Sequence, residues 1–268
     1  MSYVTVDGLC SIIKQNGEVG LVMLDLKGKL SVVMPAYNEE KLIYQNILET
    51  VETLSRFVSD FEVIVVNDGS KDRTKAEVQR AMKVCPQVRL SGSDKNHGKG
   101  AAILLGVTEA KGDFIAFVDA DLELHPRQLE KYLSHMLDTG CDIVIGSKLD
   151  PESELEYPFV RRVISYCYYI MLNTMFHLHV RDTQTGLKVF RASAIKPVAH
   201  LIRTSGFAYD IELLTACSRR GATIESLPVQ VVYVRDSRRI HFSDCWRAFK
   251  DTWAIFNRVY VKHYYDEH

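Results

Sequence analysis

What most constrains this chain is a series of short apolar segments, each running into a polar loop and then a stretch of helical periodicity. Ser31-Val32-Val33-Met34 (stopped by Pro35), Phe61 to Val66, Val88 to Ser91, Phe114 to Val118 and Asp142 to Gly146 read as strands. After the first, Ile43, Ile47, Val51, Leu54 and Val58 recur at the helical period. Asn38 is the expected cap there, with Glu39 and Glu40 in the first turn. Asp72 is the expected cap of a helix reaching about Val84, and Gly98 to Ala110 and Pro126 to Thr139 read as two more. Strands alternating with helices at this spacing imply an α/β fold, a parallel sheet covered on both faces. Ligands of such sheets sit outside the carboxyl ends of the strands.

That rim is where the acids fall. Tyr37-Asn38-Glu39 follows the first strand, Asp68 the second, and Asp119-Ala120-Asp121-Leu122-Glu123 the fourth. If strand alternation continued through this last run, Asp119, Asp121 and Glu123 would share one face. Three clustered carboxylates repel one another unless a positive charge lies between them. A hard divalent cation, Mg²⁺ or Mn²⁺, carrying a diphosphate suits such an all-oxygen site. Alone, Asp-x-Asp reads more readily as a solvated turn; three acidic signals on one rim favour a site.

Composition narrows the class. Of 268 residues 47% are hydrophobic and 25% charged, as in an ordinary globular protein. The net charge of −1 is unevenly spread: the first 150 residues hold 17 Lys and Arg against 22 acids, the remainder 16 against 12. An acidic front and a basic back suit a metal site followed by an anion- or membrane-facing region, and no nucleic-acid partner is expected. Six cysteines (10, 85, 141, 167, 217, 245) form no Cys-x-x-Cys pair, which argues for free thiols in a reducing compartment. Met1 to Cys10 lacks the basic and apolar regions of a signal peptide, and no apolar run reaches the ~18 residues of a membrane span. A cytoplasmic location is expected, peripheral to the cytoplasmic face of a membrane.

The second half has a different character. Phe159 to Leu178 reads as a helix opened by Arg161 and Arg162, with Tyr166, Tyr168 and Tyr169 near its middle. A core helix and an interfacial one, with arginines at headgroup level, both fit. Ile224 to Val234 alternates like a strand, bent or at an edge because of Pro228. Beyond Arg235, Arg238 and Arg239, a last helix places Phe242, Trp246, Phe249, Trp253, Phe256 and Tyr260 on one stripe. That stripe is expected to pack against the domain, with a partner protomer or a bilayer as alternatives.

Taken together, four motifs in order resemble the family 2 inverting glycosyltransferases of GT-A fold. They are Val33-Met34-Pro35-Ala36-Tyr37-Asn38-Glu39-Glu40, Val66-Asn67-Asp68-Gly69-Ser70 with Asp72 and Thr74, Asn96-His97-Gly98-Lys99-Gly100, and Asp119-Ala120-Asp121. Asp119 to Pro126 and Asp182-Thr183-Gln184-Thr185-Gly186-Leu187-Lys188-Val189-Phe190-Arg191 are similar to dolichyl-phosphate mannose synthases and polyprenyl-phosphate glycosyltransferases. The match spans roughly residues 29 to 240. It implies a mostly parallel, Rossmann-like GT-A sheet over 30–240 (donor half 30–147, acceptor half 148–240), between an extension at 1–29 and an amphipathic helix at 241–268.

The resemblance also implies roles. Pro35, Tyr37, Glu39 and Asp68 would meet the nucleoside, and Lys99, Asp119, Ala120 and Lys148 would line the nucleotide sugar. Lys148 stands where the family usually has Arg. Asp121 and Glu123, with Asp119, would hold the metal, and Arg235 and Arg239 would close over the donor. The donor would be GDP-mannose or a UDP-sugar, and the acceptor a polyprenyl or dolichyl phosphate. Such a phosphate is already anionic and needs no general base, only cations to hold it: Arg161, Arg162, Lys188 and Arg191 are the candidates. A hydroxyl acceptor would need a base, for which Asp210 is the first choice. Many relatives carry membrane spans after the catalytic domain. Here the expected partners are the membrane surface, a membrane-anchoring subunit or a second copy of the chain. A non-catalytic binding subunit of the same fold is the rival of another class.

Overall fold

The computed structural model describes residues 14–15, 18–19, 23–153, 169–178, 180, 182–206, 208–231 and 250–266. A two-residue hairpin, β1 (Lys14–Gln15) and β2 (Glu18–Val19), precedes the main body. There follow β3 (Leu30–Ala36), α1 (Ile43–Leu54), β4 (Phe61–Asp68), α2 (Thr74–Met82), β5 (Val88–Ser93) and α3 (Lys99–Glu109). The chain continues through β6 (Phe114–Phe117), α4 (Gln128–Thr139), β7 (Ile143–Ser147), α5 (169–176), β8 (Lys188–Arg191), α6 (Ala192–Ala199), α7 (Tyr209–Arg219) and β9 (Ile224–Pro228). It ends in α8 (250–256), which runs into a π-helical turn, Asn257–Val261.

Seven strands form one sheet in the order β5-β4-β3-β6-β8-β7-β9. All neighbours are parallel except β8, which runs antiparallel to both β6 and β7. This is the mostly parallel α/β architecture of the GT-A class. The central strands are buried on both faces and so read as unbroken apolar runs, Val32-Val33-Met34 and Val63-Ile64-Val65-Val66. One layer packs α1, α2 and α4 on the sheet through Ile43, Ile47, Val78, Leu129 and Met136. The other packs α3, α6, α7 and α8 through Ile103, Ile195, Leu213 and Ile255. β9 lies at the edge, where Pro228 needs no ladder partner.

Several sequence expectations are corrected. Asn38 does not cap α1: it takes a left-handed backbone (φ 56°), and its side-chain oxygen accepts the Lys71 N–H at 2.9 Å. Glu39 and Glu40 lie in the turn before α1, not in its first turn. Asp72 stands two residues before α2 yet accepts the Thr74 N–H at 2.9 Å, so the end of the helix is satisfied as expected. Of the aromatic stripe of the last helix, Phe256 and Tyr260 pack against the domain as expected, partly buried, but they are not its most buried residues. Thr252, Ile255 and Val259 point inward, whereas Trp253 is 59% exposed and stacks on Phe256. Phe242, Trp246 and Phe249 lie outside the described residues, as does the first half of the 159–178 helix. In the part that is described, Leu172 and Phe176 are buried and Ile170 is exposed. Among the described residues no helix is long and apolar enough to cross a membrane.

Arg191 was a candidate acceptor ligand, and its register excludes that role. It pairs with Phe114, at the opposite end of β6 from the acidic rim. Its guanidinium donates to the Cys141 and Met136 carbonyls at 3.0 and 3.1 Å, satisfying the C-terminal end of α4. Arg191→Met should therefore cost about 1.5–3 kcal/mol in denaturant unfolding. It should leave turnover per folded molecule unchanged.

Candidate active site

The rim is built from loops that leave β3, β4, β5, β6 and β7. The first two are tied together residue by residue. The Asn38 N–H donates to Ser70 Oγ (3.0 Å), Glu39 N–H to Thr74 Oγ1 (2.8 Å) and Glu40 N–H to Asp72 Oδ2 (3.1 Å). In return the Arg73 N–H donates to Glu40 Oε2 at 2.9 Å. Short polar side chains in turns satisfy neighbouring backbone in this way. Pro35 and Glu39 are left half-buried on this wall, and Tyr37 is 41% exposed at its lip.

Asp68 is buried, and its two oxygens accept the N–H groups of His97 and Gly98 at 2.7 and 2.9 Å. It fixes the loop after β5, and each of its oxygens keeps acceptor capacity beyond these two bonds. The held loop delivers Lys99 into the rim. Lys99 Nζ lies 2.6 Å from Asp119 Oδ1. Burial favours its neutral form, but Asp119 and Asp210 outweigh that and raise its pKa.

The acidic triplet does not converge as alternation would have it. β6 ends at Phe117, and residues 119–122 form a turn closed by the Leu122 N–H on the Asp119 carbonyl (3.1 Å), with Leu122 left-handed (φ 51°). Asn46 of α1 holds this turn by donating to the Ala120 carbonyl at 2.7 Å. Asp119 pairs with Lys99, and Glu123 pairs with Lys148 at 2.6 Å. Asp121 is different: the Glu123 N–H donates to its Oδ1 at 3.1 Å, and among the described residues no cation pairs with it. Its pKa is raised by burial and by the charges of Asp119, Glu123 and Glu39. Burial acts the same way on Asp119, but Lys99, then Lys188 and Lys148, hold that carboxyl below its ordinary range. No group of three His, Cys, Asp or Glu side chains converges as a metal cage among the described residues.

Beneath Asp119 lies a second ion pair. Lys188 is 1% exposed and its Nζ meets Asp210 Oδ1 at 2.6 Å, while the Thr185 carbonyl accepts from the same ammonium. Burial raises the Asp210 pKa against the pull of Lys188 and Lys99. Two expectations fail here for one reason. Lys188 is sealed off from any acceptor phosphate, and Asp210, 5% exposed, is its counter-ion and no accessible base. Both lie inside because antiparallel β8 returns to the centre of the sheet and starts at the rim, with Lys188 opposite Phe117. Arg161, Arg162, Arg235 and Arg239 lie outside the described residues.

Residues without an assigned role complete the rim. Asp182 accepts the Lys148 N–H (3.0 Å) and the Thr185 hydroxyl (2.7 Å), joining the loops after β7 and before β8. Gly186 has no room for a side chain: an added Cβ would come 2.2 Å from Asp119 Oδ2. Both belong to the Asp182 to Arg191 motif, whose order was the signal. Gly186→Ala should push Asp119 off Lys99. Loss of that charge-assisted contact should cost about 1.5–3 kcal/mol in denaturant unfolding.

A mostly parallel sheet with an Asp-x-Asp turn and lysines at its carboxyl rim defines a GT-A-type glycosyltransferase scaffold. The chain belongs to glycosyl transferase family 2, whose family model matches residues 31–198. It is 34% identical over 244 residues to the dolichyl-phosphate beta-glucosyltransferase ALG5A of Trichomonas vaginalis, covering 86% of this chain and 74% of that one. It is 30% identical to the Homo sapiens dolichyl-phosphate beta-glucosyltransferase, covering 83% and 73%. Against the glycosyltransferase AglD of Haloferax volcanii the identity is 31%; 75% of this chain is matched but only 32% of that longer protein. Among solved structures, glucosyl-3-phosphoglycerate synthase from Mycobacterium tuberculosis with UDP superposes with a TM-score of 0.63 at 20% identity, covering 86% and 79% of the two chains. Another crystal structure of that synthase holds Mn²⁺, UDP-glucose and phosphoglyceric acid.

Proposed function

We propose that this protein transfers a single sugar, with inversion, from a nucleotide sugar to a polyprenyl or dolichyl phosphate at a membrane surface. The observation that carries the donor half is the charge pattern of the 119–123 turn, where Asp119 and Glu123 have lysine partners and Asp121 has none among the described residues. A carboxylate destabilised by burial and by its neighbours' charge fits a divalent cation. Mg²⁺ is commonly held by one or two carboxylates plus substrate phosphates, not by an all-protein cage.

Asp121, with Glu123 beside it, would hold that cation, which neutralises charge building on the departing diphosphate. Lys99 and Lys148 stand at the same rim and stabilise the same negative charge. Pro35, Tyr37 and Glu39 form the wall along which the nucleoside lies, and Asp68 keeps the opposing loop in place. The acceptor half rests on the relatives' names, which specify dolichyl phosphate and a beta product; inversion of an alpha-linked donor gives that product. Burial of Asp210 supports a phosphate acceptor too, because a hydroxyl would need the accessible base that Asp210 does not provide. UDP-glucose heads the donors to test, followed by GDP-mannose.

The test uses the full chain with each labelled nucleotide sugar, Mn²⁺ and a short polyprenyl phosphate, alongside an alcohol of the same chain length. Label in an acid-labile sugar phosphate lipid supports the proposal. Label in the alcohol but not in the phosphate rejects it.

A further inference from the structure

The C-terminal segment ends far along the chain from the donor motifs, yet it is wired to them through one buried carboxylate. Glu212 in α7 has no exposed surface. Its Oε2 accepts the N–H groups of Arg203 and Thr204 at 3.2 and 2.7 Å. Its Oε1 accepts the Tyr265 hydroxyl and lies 2.9 Å from Arg258 Nε. Arg258 also donates to Thr204 Oγ1 at 2.9 Å, so Arg258 and Tyr265 clamp the 203–205 loop from the far side. A charge this deep is tolerated only when it is paired and fully hydrogen-bonded, so the clamp has one stable arrangement.

The loop in turn presses on the start of α3. The Ser205 carbonyl accepts the Gly100 N–H at 3.0 Å and lies 2.6 Å from where a Cβ on Gly98 would stand. A Cβ on Gly100 would meet Tyr209 at 2.7 Å. Lys99 is therefore the one side chain between two glycines pinned against Ser205 and Tyr209, and its ammonium reaches Asp119. The π-helical turn Asn257–Val261 carries Arg258. Such turns are rare and often fall at functional sites.

We infer that Arg258 and Tyr265 are positioning residues for Lys99, acting through Glu212 and the Ser205 carbonyl to hold the Lys99–Asp119 pair of the donor site. This rests on the donor role proposed for that rim. Two readouts on the full chain separate the two claims. The first needs no nucleotide: acylation of individual lysines by an amine-reactive ester, followed by mass spectrometry. In Arg258→Met, Lys99 should label several-fold faster, because the side chain is no longer held against Asp119 and is more open to the reagent. Tyr265→Phe, a milder change, should give a smaller acceleration in the same direction. Lys29, paired with Asp60 at the other end of the sheet, should keep its rate. Equal acceleration at Lys29 and Lys99, or none at Lys99 in either variant, overturns the inference.

The second is a cycle of Arg258→Met and Lys99→Met, read as UDP and GDP affinity with Mn²⁺ in calorimetric titration. Arg258→Met should weaken binding about tenfold in the wild-type background and less than about twofold when Lys99 is already Met, because residues that act through one contact are not additive. Equal losses in both backgrounds mean a merely structural role and overturn it. If the wild-type chain binds neither nucleotide, the donor reading falls, and the labelling result alone decides whether the clamp positions Lys99.

Discussion

Replacing Lys188 with Met is expected to destabilise the protein by about 3–5 kcal/mol, because it leaves the Asp210 carboxylate buried without its partner. Lys188 and Asp210 are almost wholly inside and 2.6 Å apart. The loss should depend on pH, with a definite sign. Burial already places the Asp210 pKa above the ordinary value, so over the interval between the two values the folded state holds more proton than the unfolded one. Stability from this group is present below the ordinary carboxylate pKa and is lost as pH rises through the folded one. Removing Lys188 pushes the folded pKa higher and widens that interval. Urea titrations should show Lys188→Met losing more at pH 8 than at pH 5. The double variant with Asp210→Asn should recover much of the loss, because a neutral pair has no buried charge to desolvate. A Lys188→Met protein as stable as wild type at pH 8 would return Lys188 to the acceptor site.

Asp121→Asn should lower metal-dependent turnover by about 100- to 1,000-fold, the range seen when one group stabilising a developing charge is removed. Its melting temperature should not fall. The carboxylate is crowded by Asp119, Glu123 and Glu39, so neutralising it relieves repulsion within the fold. Lower activity with equal or higher stability marks a residue held in place for function. Parallel losses of both would make Asp121 a structural residue of the turn.

The sheet was largely legible because buried parallel strands announce themselves as apolar runs: Val32 to Met34, Val63 to Val66 and Phe114 to Phe117 were found within a residue or two. β8 is a strand that its sequence does not announce. Four residues with Lys188 and Arg191 at its ends carry no strand pattern, and its place between β6 and β7 depends on a long-range return of the chain. Without that strand, Lys188 and Arg191 read as acceptor ligands and Asp210 as a base for a hydroxyl acceptor; with it, Lys188 and Asp210 are a buried pair and Arg191 lies at the far end of β6. Charged residues in a motif look exposed until the strand that buries them is known. The rim acids were legible as a set, since each follows a strand end. Their division of labour was not. Whether Asp119 and Glu123 meet a metal or a lysine depends on Lys99 and Lys148 arriving from other loops. The last helix buries Thr252, Ile255 and Val259, a row one residue away from Trp253, Phe256 and Tyr260 with the same spacing, so periodicity alone does not say which row faces inward.

The central claim, that Asp121 and a donor diphosphate together form the metal site, is tested most directly by Mn²⁺ uptake measured by electron paramagnetic resonance with and without UDP or GDP. With so few carboxylates from the protein, the wild-type chain should bind Mn²⁺ at least about tenfold more tightly when its nucleotide is present, and Asp121→Asn should abolish that gain. Equal Mn²⁺ affinity with and without nucleotide, or a gain that survives Asp121→Asn, would contradict it.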